Sequence, residues 1–400
     1  MLAAQRLESA PVIAQAPVAA APPARERRNA LIALTVLHTI NDFYGLLLPP
    51  LLPALRAAFG LSYTEAGAIP FVSTGVSALL QPTLGYVADR RLARRLFMAG
   101  GFVGFGLAAL WLSAASSYAW VLVGAALLGL AGSTYHPQSA TYLVYYFRDR
   151  RGFAQGIHGL GNGLGFLLAP LTVAGLAEAL GWPSAVRLVA IPAFVGAAIV
   201  LATLREPALR GGAGMFAGIT RPLLLLTIVN GLSLFASVGF QNWLPSYYAA
   251  LRYSLGQAGL FTGAMFAAGM VAQPSGGTLS DRFSRRTVVL ASLLGVALFQ
   301  LLFVATAWLP LMLALSVMIG FCGSLMPPVA MVYASELAAG QRTGMAVGIV
   351  WGLGTAISAF APLVTGAMID LFGFGAAYVA MAAVALVAAA LATGLPRAEG

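Results

Sequence analysis

Few side chains inside the long apolar runs of this sequence can do chemistry, and they are close together. His38 and Asp42 lie four residues apart in the first run, a spacing that puts both on one helical face within reach of each other. An imidazole beside a carboxylate can take up and release a proton near neutral pH. The bland alternative is that Asp42 ties its helix to a neighbour by hydrogen bonds. His136 follows Gly132-Ser-Thr-Tyr135 and precedes Pro137, which lacks an N–H and bends a helix. Such a bend opens space for a substrate or proton, or is only a bend. His158 stands seven residues beyond Arg151, where proton transfer, gating and packing are all open. No nucleophile with a base and no facing pair of aspartates occurs, so the chain does not read as an enzyme. No cofactor is called for, and Cys322, the one cysteine, offers neither a disulfide nor a metal-ligand spacing. Imidazole and carboxylate together also suit divalent metals as cargo.

These groups must be positioned by helices in lipid. The chain is 60% hydrophobic and 8% charged, with a mean hydropathy of +0.87, more apolar surface than a soluble domain can cover. A crossing needs about 20 apolar residues. Twelve such helices are expected, near 30–56, 63–88, 95–115, 118–146, 152–178, 184–204, 221–250, 257–280, 287–308, 310–336, 343–369 and 374–395. Asp42 then lies twelve residues into its helix, about 18 Å along at 1.5 Å per residue and near the midplane. A charge there costs several kcal/mol unless it lines a wet path. All 22 basic residues are arginine, and 19 fall in the tail or in loops after even-numbered helices, leaving Arg56, Arg187 and Arg252 for the other face. The positive-inside rule puts both termini in the cytoplasm and explains the net charge of +10 without nucleic acid.

The chain is duplicated. Gln81-Pro-Thr-Leu-Gly85-Tyr-Val-Ala-Asp89-Arg90 is matched by Gln273-Pro-Ser-Gly-Gly-Thr-Leu-Ser-Asp281-Arg282, 192 residues on. Leu52-Pro53, Ala66-Gly67 and Ala169-Pro170-Leu171 recur at the same offset, and Gly132-Ser133 at 191. The expected domains are a disordered cytoplasmic tail at 1–28, a six-helix bundle at 29–204, a cytoplasmic linker at 205–220 and a second bundle at 221–396. The two halves face each other across a central path. At the repeat offsets His38, Asp42, His136 and His158 become Asn230, Leu234, Pro327 and Val350, so proton chemistry is expected in the first half alone.

Gly85-Tyr-Val-Ala-Asp89-Arg-Arg-Leu-Ala-Arg-Arg95 resembles the loop between the second and third helices of the major facilitator superfamily. His38-Thr-Ile-Asn-Asp42, Gly132-Ser-Thr-Tyr-His136-Pro137 and His158-Gly-Leu-Gly-Asn162-Gly-Leu-Gly resemble the fosmidomycin resistance protein family within it. The resemblance implies an all-α membrane protein of twelve transmembrane helices in two parallel-repeat bundles, multi-pass in the bacterial cytoplasmic membrane. It implies a secondary transporter, a proton antiporter exporting a small polar or anionic compound such as a fosmidomycin-like drug or metabolite; proton-coupled uptake of an organic anion or metabolite, and divalent metal export on the imidazole and carboxylate ligands, are the alternatives. Partners are a small-molecule substrate, protons and the lipid bilayer, and a monomer is expected. It also implies that Asp89, with Gly85, Arg90 and Arg95, meets a helix start in the other half and shuts the cytoplasmic side, with Asp281, Arg282 and Arg286 as a weaker copy. No arginine lies in the interior of any expected helix to pair with a phosphonate.

The expected proton-coupling set is Asp42, His38, His136 and His158. The expected substrate pocket is Asn41, Tyr44, Gln81, Tyr135, Gln138 and Asn162 from the first half, with Asn230, Gln241, Trp243 and Trp351 from the second. Gly159, Gly161, Gly163 and Gly165 flatten the fifth helix for close packing across the interface between halves. They resemble the superfamily's glycine-rich antiporter motif without its Gly-Pro pair.

Overall fold

The computed structural model describes residues 23–147, 150–207, 220–338 and 343–396. Within them the first half comprises α1 (Ala24–Gly45), α2 (Leu52–Phe59), α3 (Tyr63–Arg91), α4 (Arg94–Ser113), α5 (Tyr118–Gly132), α6 (Tyr135–Tyr146), α7 (Arg151–Leu180), α8 (Trp182–Leu188) and α9 (Ala190–Thr203). The second comprises α10 (Arg221–Gln241), α11 (Leu244–Ala250), α12 (Leu255–Arg282), α13 (Arg285–Val304), α14 (Leu309–Leu337), α15 (Thr343–Ala359) and α16 (Ala361–Ala392). Among the described residues, ten stretches are long and apolar enough to cross a membrane. The 29-residue α3 is not among them, because Gly, Ser, Thr, Pro and Gln81 dilute its middle. One stretch, Met345–Ala392, is 48 residues long and is broken at Gly373, whose φ of +79° is one that L side chains rarely adopt.

The duplication is written into the helix starts. Ser62 and Glu65 form a reciprocal capping box on α3, and Ser254 and Gln257 form the same box on α12, 192 residues later. The offset falls to 191 where the loop after α12 is one residue shorter: Asp89 bonds Arg94, five residues on, whereas Asp281 bonds Arg285, four on.

Several expected boundaries shift for local reasons. The expected tail 1–28 gives way to helix from Ala24, with Pro23 at its start and Glu26 in the first turn where an acid is favoured; residues 1–22 lie outside the described residues. Of the expected linker, 208–219 lie outside them, as do Arg6, Arg148, Arg210, Arg342 and Arg397. The expected helix 118–146 is two helices, broken at Ser133–Thr134. Pro137 has no N–H for the Ser133 carbonyl, and its ring crowds that carbonyl. The expected helix 184–204 likewise breaks at Val189.

The halves meet along two seams, α7 against α12 and α3 against α15 and α16. Contact runs from the ends remote from Asp89 and Asp281 towards the middle. A methyl on Gly67 would strike the Pro362 carbonyl, one on Gly259 the Pro170 carbonyl, and one on Gly263 the Leu171 side chain at 2.9 Å. Towards the arginine-rich loops, a methyl on Gly152, Gly156, Gly159 or Gly277 would meet nothing within 4 Å. The molecule is closed at one end and parted at the other.

Candidate functional site

Asp42 is the centre of a buried polar cluster on α1. The carboxylate, 5% exposed, has His38 Nε2 at 3.1 Å from Oδ2, and Asn41 Nδ2 donates to Oδ1 at 2.7 Å. Asn162 on α7 donates to Oδ2, and His136 Nε2 on α6 stands 3.8 Å from Oδ1. His38 Nδ1–H donates to the His158 carbonyl at 2.8 Å, which only accepts. The proton between His38 Nε2 and Asp42 Oδ2 can therefore sit on either atom without moving a heavy atom. His136, with 40% of its side chain exposed, is the member solvent reaches.

The sequence builds this cluster by letting α7 lie directly on α1. A methyl on Gly161 would stand 2.8 Å from His38 Cβ, and one on Gly165 3.0 Å from Asp42 Cβ. Small residues permit such backbone approach. The expectation that these glycines serve the interface between halves is corrected: Gly161 and Gly165 face α1 within the first half, Gly163 faces Met270 on α12, and Gly159 faces open space. His158 stacks on His38 with ring centres 4.1 Å apart. Tyr135 donates its hydroxyl proton to the Leu34 carbonyl at 2.7 Å, so His158 Nε2–H, 3.0 Å away, donates to the Tyr135 oxygen.

The expected pocket residues divide sharply. Asn41 and Asn162 join the cluster, while Gln81, Gln241 and Trp351 are half-buried. Tyr44, Tyr135, Gln138, Asn230 and Trp243 are at most 2% exposed and belong to packing rather than to a cavity wall. Tyr44 donates to the Val189 carbonyl where α8 gives way to α9, and its ring stacks on Phe105. Asn230 donates to the Val350 carbonyl at 3.1 Å, and Trp243 Nε1 donates to the Pro362 carbonyl at 3.0 Å on the closed seam. Among the described residues, no three His, Cys, Asp or Glu side chains converge as a metal-ligand set.

The expected gate is also placed differently. Asp89 accepts from Arg94 Nε at 2.7 Å within its own half, and buried Arg94 also reaches Glu206 at 3.5 Å. Glu206 accepts from the Arg94 and Arg95 N–H groups at 3.1 and 2.9 Å, capping α4 with the first residues of the expected linker. Arg90 lies over Tyr86, Gly85 rests on Pro137, and Arg95 donates to the Leu201 carbonyl. In the second copy Asp281 pairs with Arg285 at 2.6 Å, Arg286 donates to the Leu395 carbonyl at 3.3 Å, and Arg282 is exposed. None of these contacts crosses between halves, because this end is the parted one.

The carboxylates that do cross are at the opposite end. Asp370 on α16 accepts from the Tyr63 and Thr64 N–H groups at 2.9 and 2.7 Å and from the Thr64 hydroxyl at 2.6 Å. Glu178 on α7 accepts from the Gly256 N–H at 2.5 Å. Each caps the first turn of a helix in the other half, where an anion is favoured. Glu178 and Asp370 are 192 residues apart, as are Thr64 and Gly256. Sequence reasoning missed this pair, although two acids at the repeat offset in apolar surroundings were a signal.

Residues 32–254 and 223–399 each match the model of the Major Facilitator Superfamily. The fosmidomycin resistance protein of Escherichia coli (strain K12) is 29% identical over 370 residues, 87% of this chain and 88% of that one. The nitrite extrusion protein of Bacillus subtilis (strain 168) is 23% identical over 90% of this chain and 92% of its own. In fold, the chain is similar to a bacterial homolog of the human lysosomal transporter Spinster in an inward-facing and occupied conformation. The TM-score is 0.83 at 17% identity, covering 93% of this chain and 97% of that one. Two matches, one over each half, together with the duplicated helical plan, make this chain a member of the Major Facilitator Superfamily.

Proposed function

We propose that this transporter couples proton movement at Asp42 and His38 to the export of a small polar or anionic compound by alternating access. The observation that carries the reading is the buried Asp42–His38 contact at 3.1 Å, linked through Asn162 to the seam where the halves meet. His136, exposed beside Asp42, serves as the substrate-facing cation, since an anion and the Asp42 carboxylate compete for the same imidazole. Antiport follows where the proton on Asp42 and the substrate favour different conformations of the site and are carried in alternation. Two relatives' names, fosmidomycin resistance and nitrite extrusion, support efflux of small anions. Twelve crossings follow if α3 spans and Met345–Ala392 spans twice, which puts both termini on the arginine-rich side. With that side cytoplasmic, the parted end faces inward.

The test is fosmidomycin tolerance of a sensitive bacterium expressing this chain, beside Asp42→Asn and His136→Ala at equal membrane level. Tolerance raised by the wild type and lost in both variants supports proton-linked export. Unchanged tolerance with wild-type protein in the membrane overturns fosmidomycin as cargo, and tolerance kept by Asp42→Asn overturns the proton site.

A further inference from the structure

At the depth of Asp42, one polar side-chain contact joins the halves among the described residues: Gln273 Nε2 on α12 donates to Asn162 Oδ1 on α7 at 2.9 Å. Asn162 Nδ2 donates in turn to Asp42 Oδ2. The orientation is fixed by chemistry, because a carboxylate only accepts and must be met by Nδ2, which leaves Oδ1 for a donor. The symmetry-related position to Asn162 is Gly354, which has no amide to offer Gln81.

We propose that Asn162 and Gln273 form an amide relay that ties the protonation of Asp42 to the contact between the halves. The inference rests on the proton-coupled reading above and assigns its coupling step. A proton arriving on Asp42 while His38 keeps its own cannot be donated to His38 Nε2–H. Once on Oδ2, that proton needs an acceptor, and Asn162 supplies one by turning over to present Oδ1. Asn162 Nδ2 then faces Gln273 Nε2, donor against donor, so Gln273 must also turn or let go. No covalent bond breaks; the proton passes from solvent to Asp42 and back. The titratable groups packed around Asp42 are His38 on α1, Tyr135 and His136 on α6, and His158 on α7. From α12 the neighbour is the uncharged Gln273. Gln273 is thus a positioning residue that acts on Asp42 through Asn162.

The experiment uses the full chain in lipid nanodiscs, with spin labels at Arg91→Cys and Phe283→Cys on the two arginine-rich loops. Both sites are exposed, while native Cys322 is buried. The distance distribution is measured at pH 5 and pH 8. The wild-type ratio of parted to closed molecules is expected to change by about threefold or more, and Gln273→Met to lose most of that response. Gln273→Glu keeps the size but only accepts, holding Asn162 Oδ1 towards Asp42, so its midpoint is expected to move to higher pH. That shift is one that a packing role would not produce. A Gln273→Met response equal to wild type, or a Gln273→Glu midpoint that stays or falls, overturns the relay and leaves proton coupling standing. A wild type that ignores pH overturns the proton-coupled reading and the relay with it.

Discussion

The two halves of this transporter keep the same hydrogen bond and differ in what makes it. In the first half His38 Nδ1 donates to the His158 carbonyl at 2.8 Å. In the second, 192 residues on, Asn230 Nδ2 donates to the Val350 carbonyl at 3.1 Å. The bond between the first and fifth crossings of each half is therefore structural, and asparagine suffices for it. What the first half adds is a titratable ring with a second nitrogen, a carboxylate where the second half has Leu234, and Asn162 where it has Gly354. The latches show the opposite pattern: Glu178 and Asp370 are both acids and both cap the opposing half. Both halves contribute a crossing acid to closure, whereas the titratable groups at the His38 and Asp42 positions belong to the first half alone.

The halves differ most at Asp42, where the second half has Leu234. Asp42→Asn is expected to lower proton-driven transport by about 100-fold, measured in proteoliposomes under an imposed pH gradient, with little change in folding. Giving the second half the same charge without its surroundings, by Leu234→Asp, is expected to destabilise the fold by about 3 kcal/mol, seen as loss of stability in denaturant-resistance assays. His38→Asn copies the second half's solution and should hold stability to within about 1 kcal/mol while abolishing coupling. His38→Leu forfeits the bond as well, and costs about 1 kcal/mol or more. Finally, Glu178→Gln and Asp370→Asn are expected to loosen the closed end by similar amounts. Each should raise labelling of a cysteine placed on the seam by roughly two- to fivefold, and clearly unequal effects would break the symmetry of the latches.

The duplication, the long apolar helices and the Asp42–His38 spacing were legible because periodicity and offset are carried by the chain itself. The helix break before Pro137 was legible as a bend, though not as two helices. Which polar residues face a cavity was not legible, since a Tyr, Gln or Trp on a helix looks the same whether its polar atom meets a freed carbonyl or water. Tyr44 and Trp243 found carbonyls, at Val189 and Pro362. The expectation of a gate at Asp89 rests on the resemblance of its arginine-rich loop to that of the superfamily. Its acid is held within its own half by Arg94, while the crossing acids sit at the other end, in a contact between residues more than 300 positions apart for Asp370 and Tyr63.

The most direct test of the central claim, that Asp42 is the proton-binding group, is the infrared difference spectrum of the reconstituted protein between pH 8 and pH 5. A buried protonated-carboxyl band is expected to appear on acidification in the wild type and to be absent in Asp42→Asn. The same band surviving undiminished in Asp42→Asn would contradict that claim.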